Sequence, residues 1–294
     1  MIRATYLSSL LMIVAAYPAI AADIDKPIIA GSSFSSYDNA ADTADMLEPS
    51  GSGFSGYIEG SVSKAFDTPY DVDGHAWALR GSINIEGPSG LNIQFDGGFA
   101  RTTVENVGVN QLVGAGHAYY RDREFAAGGF VQASSIDADY LGYGLNDTIK
   151  DYLGGVEGAW FMDQATIYGR AGYGQAKWEG YSADHAMGAI GARLYATDNF
   201  RFDVEGAINR LSHADLKLDT RSATFSVNYR PESVPITVFS GYRFDQIEPS
   251  MSGASLGHAN VSTIFAGLRF SFGSNSLKDE ERNGPVWTAS SLLP

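Results

Sequence analysis

The stretch WALRGSINIEGPSGLNIQFDGGF, residues 77–99, decides the fold. Before the turn, Trp77, Leu79, Ile83 and Ile85 occupy one row, and Ala78, Arg80, Ser82, Asn84 and Glu86 occupy the other. After Gly87-Pro88-Ser89-Gly90 the same beat resumes, with Leu91, Ile93, Phe95 and Phe99 set against Asn92, Gln94 and Asp96. A period of two on both sides of a Gly/Pro turn reads as a β-hairpin with one apolar and one polar face. The polar face carries full charges at mid-strand depth, Arg80 and Asp96, which is unusual for a sheet packed on a soluble core.

Working outward, the beat recurs along the chain. Phe200, Phe202, Val204 and Ile208 alternate with Arg201, Asp203, Glu205 and Asn209. Ala223, Phe225, Val227 and Tyr229 alternate with Thr224, Ser226, Asn228 and Arg230, and Ile264, Ala266, Leu268, Phe270 and Phe272 close the series. The middle of the chain is rich in Gly and Ala, and its faces are harder to assign. Short gaps near residues 87–90, 122–124, 162–164, 197–199 and 231–233 take turns with long ones near 67–74, 103–110, 136–147, 176–184, 210–218 and 248–258. Strands of about ten residues match a tilted membrane strand and exceed the usual length in soluble sheets. A β-sandwich shows the same alternation, but not this alternation of gaps. The expected fold is therefore all-β, a closed up-and-down antiparallel transmembrane β-barrel of twelve strands, with ten or fourteen as the other counts. An even count returns both termini to the side of the short turns, the periplasm.

Bulk composition fits. The chain has 294 residues, no cysteine and 34 glycines, so disulfide scaffolds and thiolate metal sites are excluded. Mean hydropathy is −0.12, as expected when apolar residues occupy one face only. A net charge of −14 argues against a nucleic-acid partner, because phosphates need Lys and Arg. Arg3, the apolar run 10–16 and Ala19-Ile20-Ala21 read as a signal peptide over residues 1–21. Residues 22–52, rich in Ser, Ala, Gly and Asp, read as a flexible periplasmic extension or a plug. The barrel is assigned to 53–273, and 274–294 reads as a polar C-terminal periplasmic tail.

The closing segment GLRFSFG, residues 267–273, resembles the terminal strand of bacterial outer-membrane barrels, whose last aromatic is read by the barrel-assembly machinery. The segments YATDNFR, residues 195–201, and YGRAGY, residues 168–173, resemble those of porin-like outer-membrane barrel proteins of alphaproteobacteria. In that family a short polar tail after the last strand is familiar, and 22 residues follow Phe272 here. The resemblance implies a Gram-negative outer-membrane location, lipid and lipopolysaccharide as surroundings, and no particular cargo.

Two sets of residues follow from the row assignment. Glu59, Arg80, Asp96, Glu157, Arg170, Arg193, Asp203, Glu205, Arg243 and Arg269 are expected to line the lumen. Across the short turns Arg80 should meet Asp96, Glu157 should meet Arg170, and Arg193 should meet Asp203 and Glu205. Closure should bring Arg269 to Glu59. Tyr120, Phe125, Trp160, Phe200, Tyr229, Phe270 and Phe272 are expected to form an aromatic girdle at the periplasmic interface. Of the five histidines, His75, His185, His213 and His258 fall in or beside long gaps, and His117 falls on a strand. None stands at a recognisable spacing from a nucleophile, so no catalytic, cofactor or metal residues are assigned. The expected activity is passive diffusion of small hydrophilic solutes through a narrow charge-lined lumen, not an enzymatic one. The alternatives are a closed structural or surface-interaction barrel serving envelope integrity or adhesion and, more remotely, a lipid-modifying enzyme.

Overall fold

Glu59 on the first strand stands opposite Arg269 on the last, and this pairing closes a ring of antiparallel strands. A computed structural model describes residues 53–66, 74–104, 107–140 and 148–289. The signal peptide and extension assigned to 1–52 lie outside the described residues, as do 67–73, 105–106, 141–147 and 290–294. The strands are β1 (Phe54–Phe66), β2 (Gly74–Glu86), β3 (Leu91–Val104), β4 (Val107–Arg121), β5 (Phe125–Tyr140) and β6 (Thr148–Phe161). They continue with β7 (Ala165–Trp178), β8 (Tyr181–Thr197), β9 (Phe200–His213), β10 (Leu216–Tyr229) and β11 (Ile236–Met251). The two-residue β12 (Ala254–Ser255) folds back on the end of β11, and β13 (Ala259–Phe272) completes the ring between β11 and β1. Twelve long strands thus form a closed up-and-down barrel in which every sequence neighbour is a hydrogen-bonded neighbour.

One end is made of tight turns. At residues 122–125 the Asp122 carboxylate accepts from the amides of Glu124 at 2.8 Å and Phe125 at 2.9 Å, an Asx turn. At residues 88–90 Gly90 takes φ +80, and a Cβ there would stand 2.5 Å from the Arg121 carbonyl oxygen, so only glycine fits.

At the other end three of the six connections read as long are short. β3 and β4 pair up to Val104 opposite Val107, and β7 and β8 are joined by Glu179 (φ 42) and Gly180 (φ 85) alone. β9 and β10 are joined by Ala214 and Asp215. The gaps read at 103–110, 176–184 and 210–218 are therefore strands that continue past the apolar belt. There the rows exchange character: Lys177, Asp184 and Arg210 are exposed while Val109, Ala176 and Leu211 pack in an inner cluster, so the outer apolar row ends while the backbone ladder goes on. The alternation is the sequence's signal of a strand, so the strand outlasts its own signal.

The barrel is inverted relative to a soluble protein. Large apolar side chains such as Val131, Val156 and Ile190 are about two-thirds exposed on the outside. Asn84, Gln94, Thr166 and Asp245 are fully buried inside. Such a distribution is stable only where the outer solvent is hydrocarbon. The Gly/Ala-rich middle strands also acquire a reason. Phe130 lies across inward glycines of β6 and β7, and a Cβ at Gly155 would be 2.6 Å from Phe130 Cε1. Leu153 and Met187 are buried with Phe130, and His117 stacks on its ring at 6.0 Å, so this part of the interior is filled by side chains.

The residues after Phe272, read as a polar periplasmic tail, fold back against the barrel. Ser276 caps a short helix, α1 (Leu277–Asn283), its Oγ accepting from the Asp279 amide at 3.0 Å. The chain then runs extended into the barrel. Val286 and Trp287 are buried against Tyr119, Ala126, Ala159 and Phe161, with Trp287 edge-on to Tyr119 at 5.9 Å. An apolar Val-Trp pair and two glutamates that find arginines inside make the lumen a better environment than water for this segment.

Candidate functional site

The interior holds a charge-lined cavity of about 320 Å³, walled by β1 to β3, β7 to β11 and β13 and floored by α1 and residues 285–289. The floor is fixed by the barrel's own arginines. Arg193 Nη1 meets Glu281 Oε1 at 2.6 Å, and its Nη2 donates to the Val286 carbonyl at 3.0 Å. Tyr195 and Thr166 donate to the other Glu281 oxygen at 2.6 and 2.8 Å. Arg269 bridges two carboxylates, Glu280 at 2.9 Å and Glu59 at 2.6 Å. Arg230, buried where β10 ends, pairs with Glu280 as well and donates to Ser271 Oγ at 2.7 Å. Arg121 donates to the Gly284 carbonyl at 2.6 Å and Arg170 to the Thr288 carbonyl at 2.5 Å. Gln94 clamps the end of the segment, donating to the Trp287 carbonyl at 2.8 Å and accepting from the Val286 amide at 3.1 Å.

Burial opposes the charge on both glutamates and would raise their pKa. For Glu280 the guanidinium groups of Arg269 and Arg230 more than offset burial, and its carboxyl titrates below the usual range. Arg193 and Arg201 do the same for Glu281. Both are therefore ionised, and a paired buried charge of this kind is tolerated only with its remaining lone pairs satisfied, as here.

Eight of the ten residues read as lumen-lining stand at this cavity: Glu59, Arg80, Arg170, Arg193, Asp203, Glu205, Arg243 and Arg269. Their pairing differs from the expected one except for Arg269 with Glu59. Asp96 and Glu157 stand instead on either side of His117, at 3.2 Å from Nε2 and 2.9 Å from Nδ1. Asp96 is opposite Ser82, not Arg80, and accepts from Ser82 Oγ at 2.5 Å. Glu157 is opposite Arg170 in register yet turns to His117. Arg193 is opposite Asp203 but reaches Glu281, while Asp203 takes Arg201 at 2.7 Å. Arg243 pairs with Asp245 at 2.8 Å. Arg80 has no carboxylate within ion-pair distance among the described residues.

The aromatic residues cluster at the strand ends joined by tight turns. Tyr120 contacts Phe125 at 5.6 Å, Phe200 contacts Tyr229 at 6.3 Å, and Phe272 stacks on Phe54 at 5.6 Å. Trp160 and Phe270 point outward, 62% and 50% exposed. His185, expected beside a loop, is buried on β8 with Nδ1 2.9 Å from Asp151 Oδ1. The residues that sequence reasoning missed are Gln94, Tyr195 and Arg201 on the wall and Glu280, Glu281 and Trp287 in the tail. The polar row contained Gln94 and Arg201, and Tyr195 stood on one of the Gly/Ala-rich strands whose faces are harder to assign. The last three followed the final strand, where no periodicity connects them to the wall.

No protein-family model and no characterised protein sequence matches the chain. Solved structures with a similar chain path include the translocator domain of the autotransporter NalP from Neisseria meningitidis, at 11% identity, TM-score 0.47, covering 78% of this chain and 92% of that one. Outer-membrane expressed OmpT of Vibrio cholerae is similar at 10% identity and TM-score 0.44, covering 74% and 97%. The NanC porin is similar at 11% identity and TM-score 0.45, covering 72% and 98%. All three neighbours are outer-membrane β-barrels.

Proposed function

We propose that this chain is an outer-membrane barrel, exported through the periplasm, that lets small hydrophilic solutes diffuse through a narrow charge-lined lumen. Its own C-terminal segment narrows the periplasmic half. The observation that carries the reading is the charge-lined cavity itself, about 320 Å³ in volume and lined by arginines and carboxylates beside the Phe130–Met187 cluster. A barrel of this size lies between filled eight-stranded barrels and wide porins, so side chains set what passes. Lipid and lipopolysaccharide are its surroundings on this reading, the assembly machinery is its partner during insertion, and it is a conduit, not an enzyme. The motifs at 168–173, 195–201 and 267–273 support a place among the porin-like barrels of alphaproteobacteria.

Planar-bilayer recording tests the reading. Small resolved current steps are expected from the full-length barrel and larger ones from a barrel ending at Gly273. Silence of both forms, with heat-modifiable mobility showing them folded, would overturn it. A closed structural barrel is the second reading. It is favoured by the five wall arginines tied to the tail, and it predicts that silence.

A further inference from the structure

We propose that the C-terminal segment is a tethered stand-in for an anionic solute: α1 occupies an arginine track in the lumen that, once vacated, takes small molecules carrying two or more carboxylates. The inference rests on the conduit reading above and names its solute class.

The argument begins with which groups are fixed by what. Arg121, Arg170, Arg193, Arg230 and Arg269 belong to five different places on the wall, and each directs a guanidinium at an atom of the tail. Three tail backbone carbonyls, of Gly284, Val286 and Thr288, accept from these arginines, and the other atoms include carboxylates from consecutive residues. Glu280 turns to Arg230 and Arg269, and Glu281 turns to Arg193. The track therefore accepts two carboxylates spaced as on neighbouring glutamates and directed to different walls. Arginine suits that role, because its planar fork matches a carboxylate and its charge does not depend on pH.

The wall has its own acids, but they do not replace the tail's. Of the cavity's six arginines and five carboxylates among the described residues, two carboxylates, Glu280 and Glu281, come with the tail. With the tail withdrawn, Arg193 and Arg230 keep no carboxylate within ion-pair distance among the described residues. Arg170 keeps Glu205 only at 3.9 Å, and Arg80 already has none. Asp203 stays with Arg201, Asp245 with Arg243 and Glu59 with Arg269. The vacated lumen is left with a surplus of positive charge in a confined, poorly screened space, which favours anions. Barrel closure does not need the tail, since β1 pairs with β13 directly from Gly56–Phe272 to Phe66–Ser262.

The test compares the full-length barrel, a barrel ending at Gly273, and the E280Q/E281Q double variant, all by reversal potential in a KCl gradient, with sodium citrate as the multi-carboxylate probe. The truncated barrel should favour chloride over potassium by about fivefold more than full length. That is the order a single unit charge beside a permeant ion supplies in water. Millimolar citrate should block the truncated barrel's current and leave that of full length unchanged. E280Q/E281Q should shift selectivity the same way with the tail still present, and it decides the matter if truncation prevents folding. Conduction by the truncated barrel without the chloride shift, or without citrate block, overturns the track while leaving a conduit. Unchanged selectivity in E280Q/E281Q also overturns it. Silence of every folded form overturns both the track and the conduit.

Discussion

Glu281 on α1 and Arg193 on β8, 88 residues apart in sequence, form an ion pair of 2.6 Å inside the lumen. The same carboxylate accepts from Tyr195 and Thr166, so all its neighbours come from the wall of the barrel. This contact turns the end of the chain from an appendage into part of the interior.

Docking of the tail depends on its apolar end as well as its charges. Trp287 is 3% exposed and Val286 1%. The chain has no cysteine, so V286C is a unique label site. In the folded barrel V286C should resist a membrane-impermeant maleimide. Adding W287A, which removes a buried aromatic worth about 3–5 kcal/mol, should make it react. Equal labelling rates with and without W287A would show that the tail is not held this way.

Acid should release the tail. Glu280 faces Arg230, Arg269 and Ser271, Glu281 faces Arg193, Tyr195 and Thr166, and Arg201 adds to both. Their docked pKa values are depressed, so the docking contribution is fully present above the ordinary glutamate range. It is lost as pH falls through the depressed values. Full-length current should stay low at neutral pH and rise below the ordinary glutamate range. The E280Q/E281Q variant should lack that acid-dependent step.

His117 separates two carboxylates. With Asp96 3.2 Å from one ring nitrogen and Glu157 2.9 Å from the other, H117L leaves both acids buried without a donor from this side chain. Urea unfolding in vesicles should show a loss of about 3–5 kcal/mol, the range for breaking a buried ion pair from one side. Adding D96N and E157Q should recover part of it, because neutral amides do not repel.

The outward row should be intolerant of charge. Ile190 on β8 is 66% exposed on the outside at mid-strand, facing lipid in this reading. I190R should cost about 2–4 kcal/mol in vesicles, the range for arginine near the bilayer midplane. In detergent, which conforms to a local defect, the loss should be smaller. An equal, negligible effect in both media would argue against a lipid-facing position.

The sequence by itself determined the barrel and much of its polar face. Residues 77–99 already separate Leu79, Ile83 and Phe95 from Arg80, Asn84 and Asp96, because a strand's side-chain period is two whatever it packs against. The closure pair Arg269–Glu59 followed from the even strand count and the same bookkeeping of faces. Sequence lost track past the outer apolar belt, as at 176–184 and 210–218, because the exposed row turns polar there, at Lys177, Asp184 and Arg210, and the apolar residues move to the inner face.

Tertiary structure alone decided which charges pair and what fills the lumen. A guanidinium on a long side chain chooses among carboxylates within several ångströms, so register names Asp203 opposite Arg193 while the bond goes to Glu281. Asp96 and Glu157 converge on His117 from β3 and β6 because the barrel curves them toward β4, a relation between strands that no local spacing encodes. The tail lies inside because Trp287 and two glutamates find partners on facing walls at once. Those partners come together only when the ring has closed.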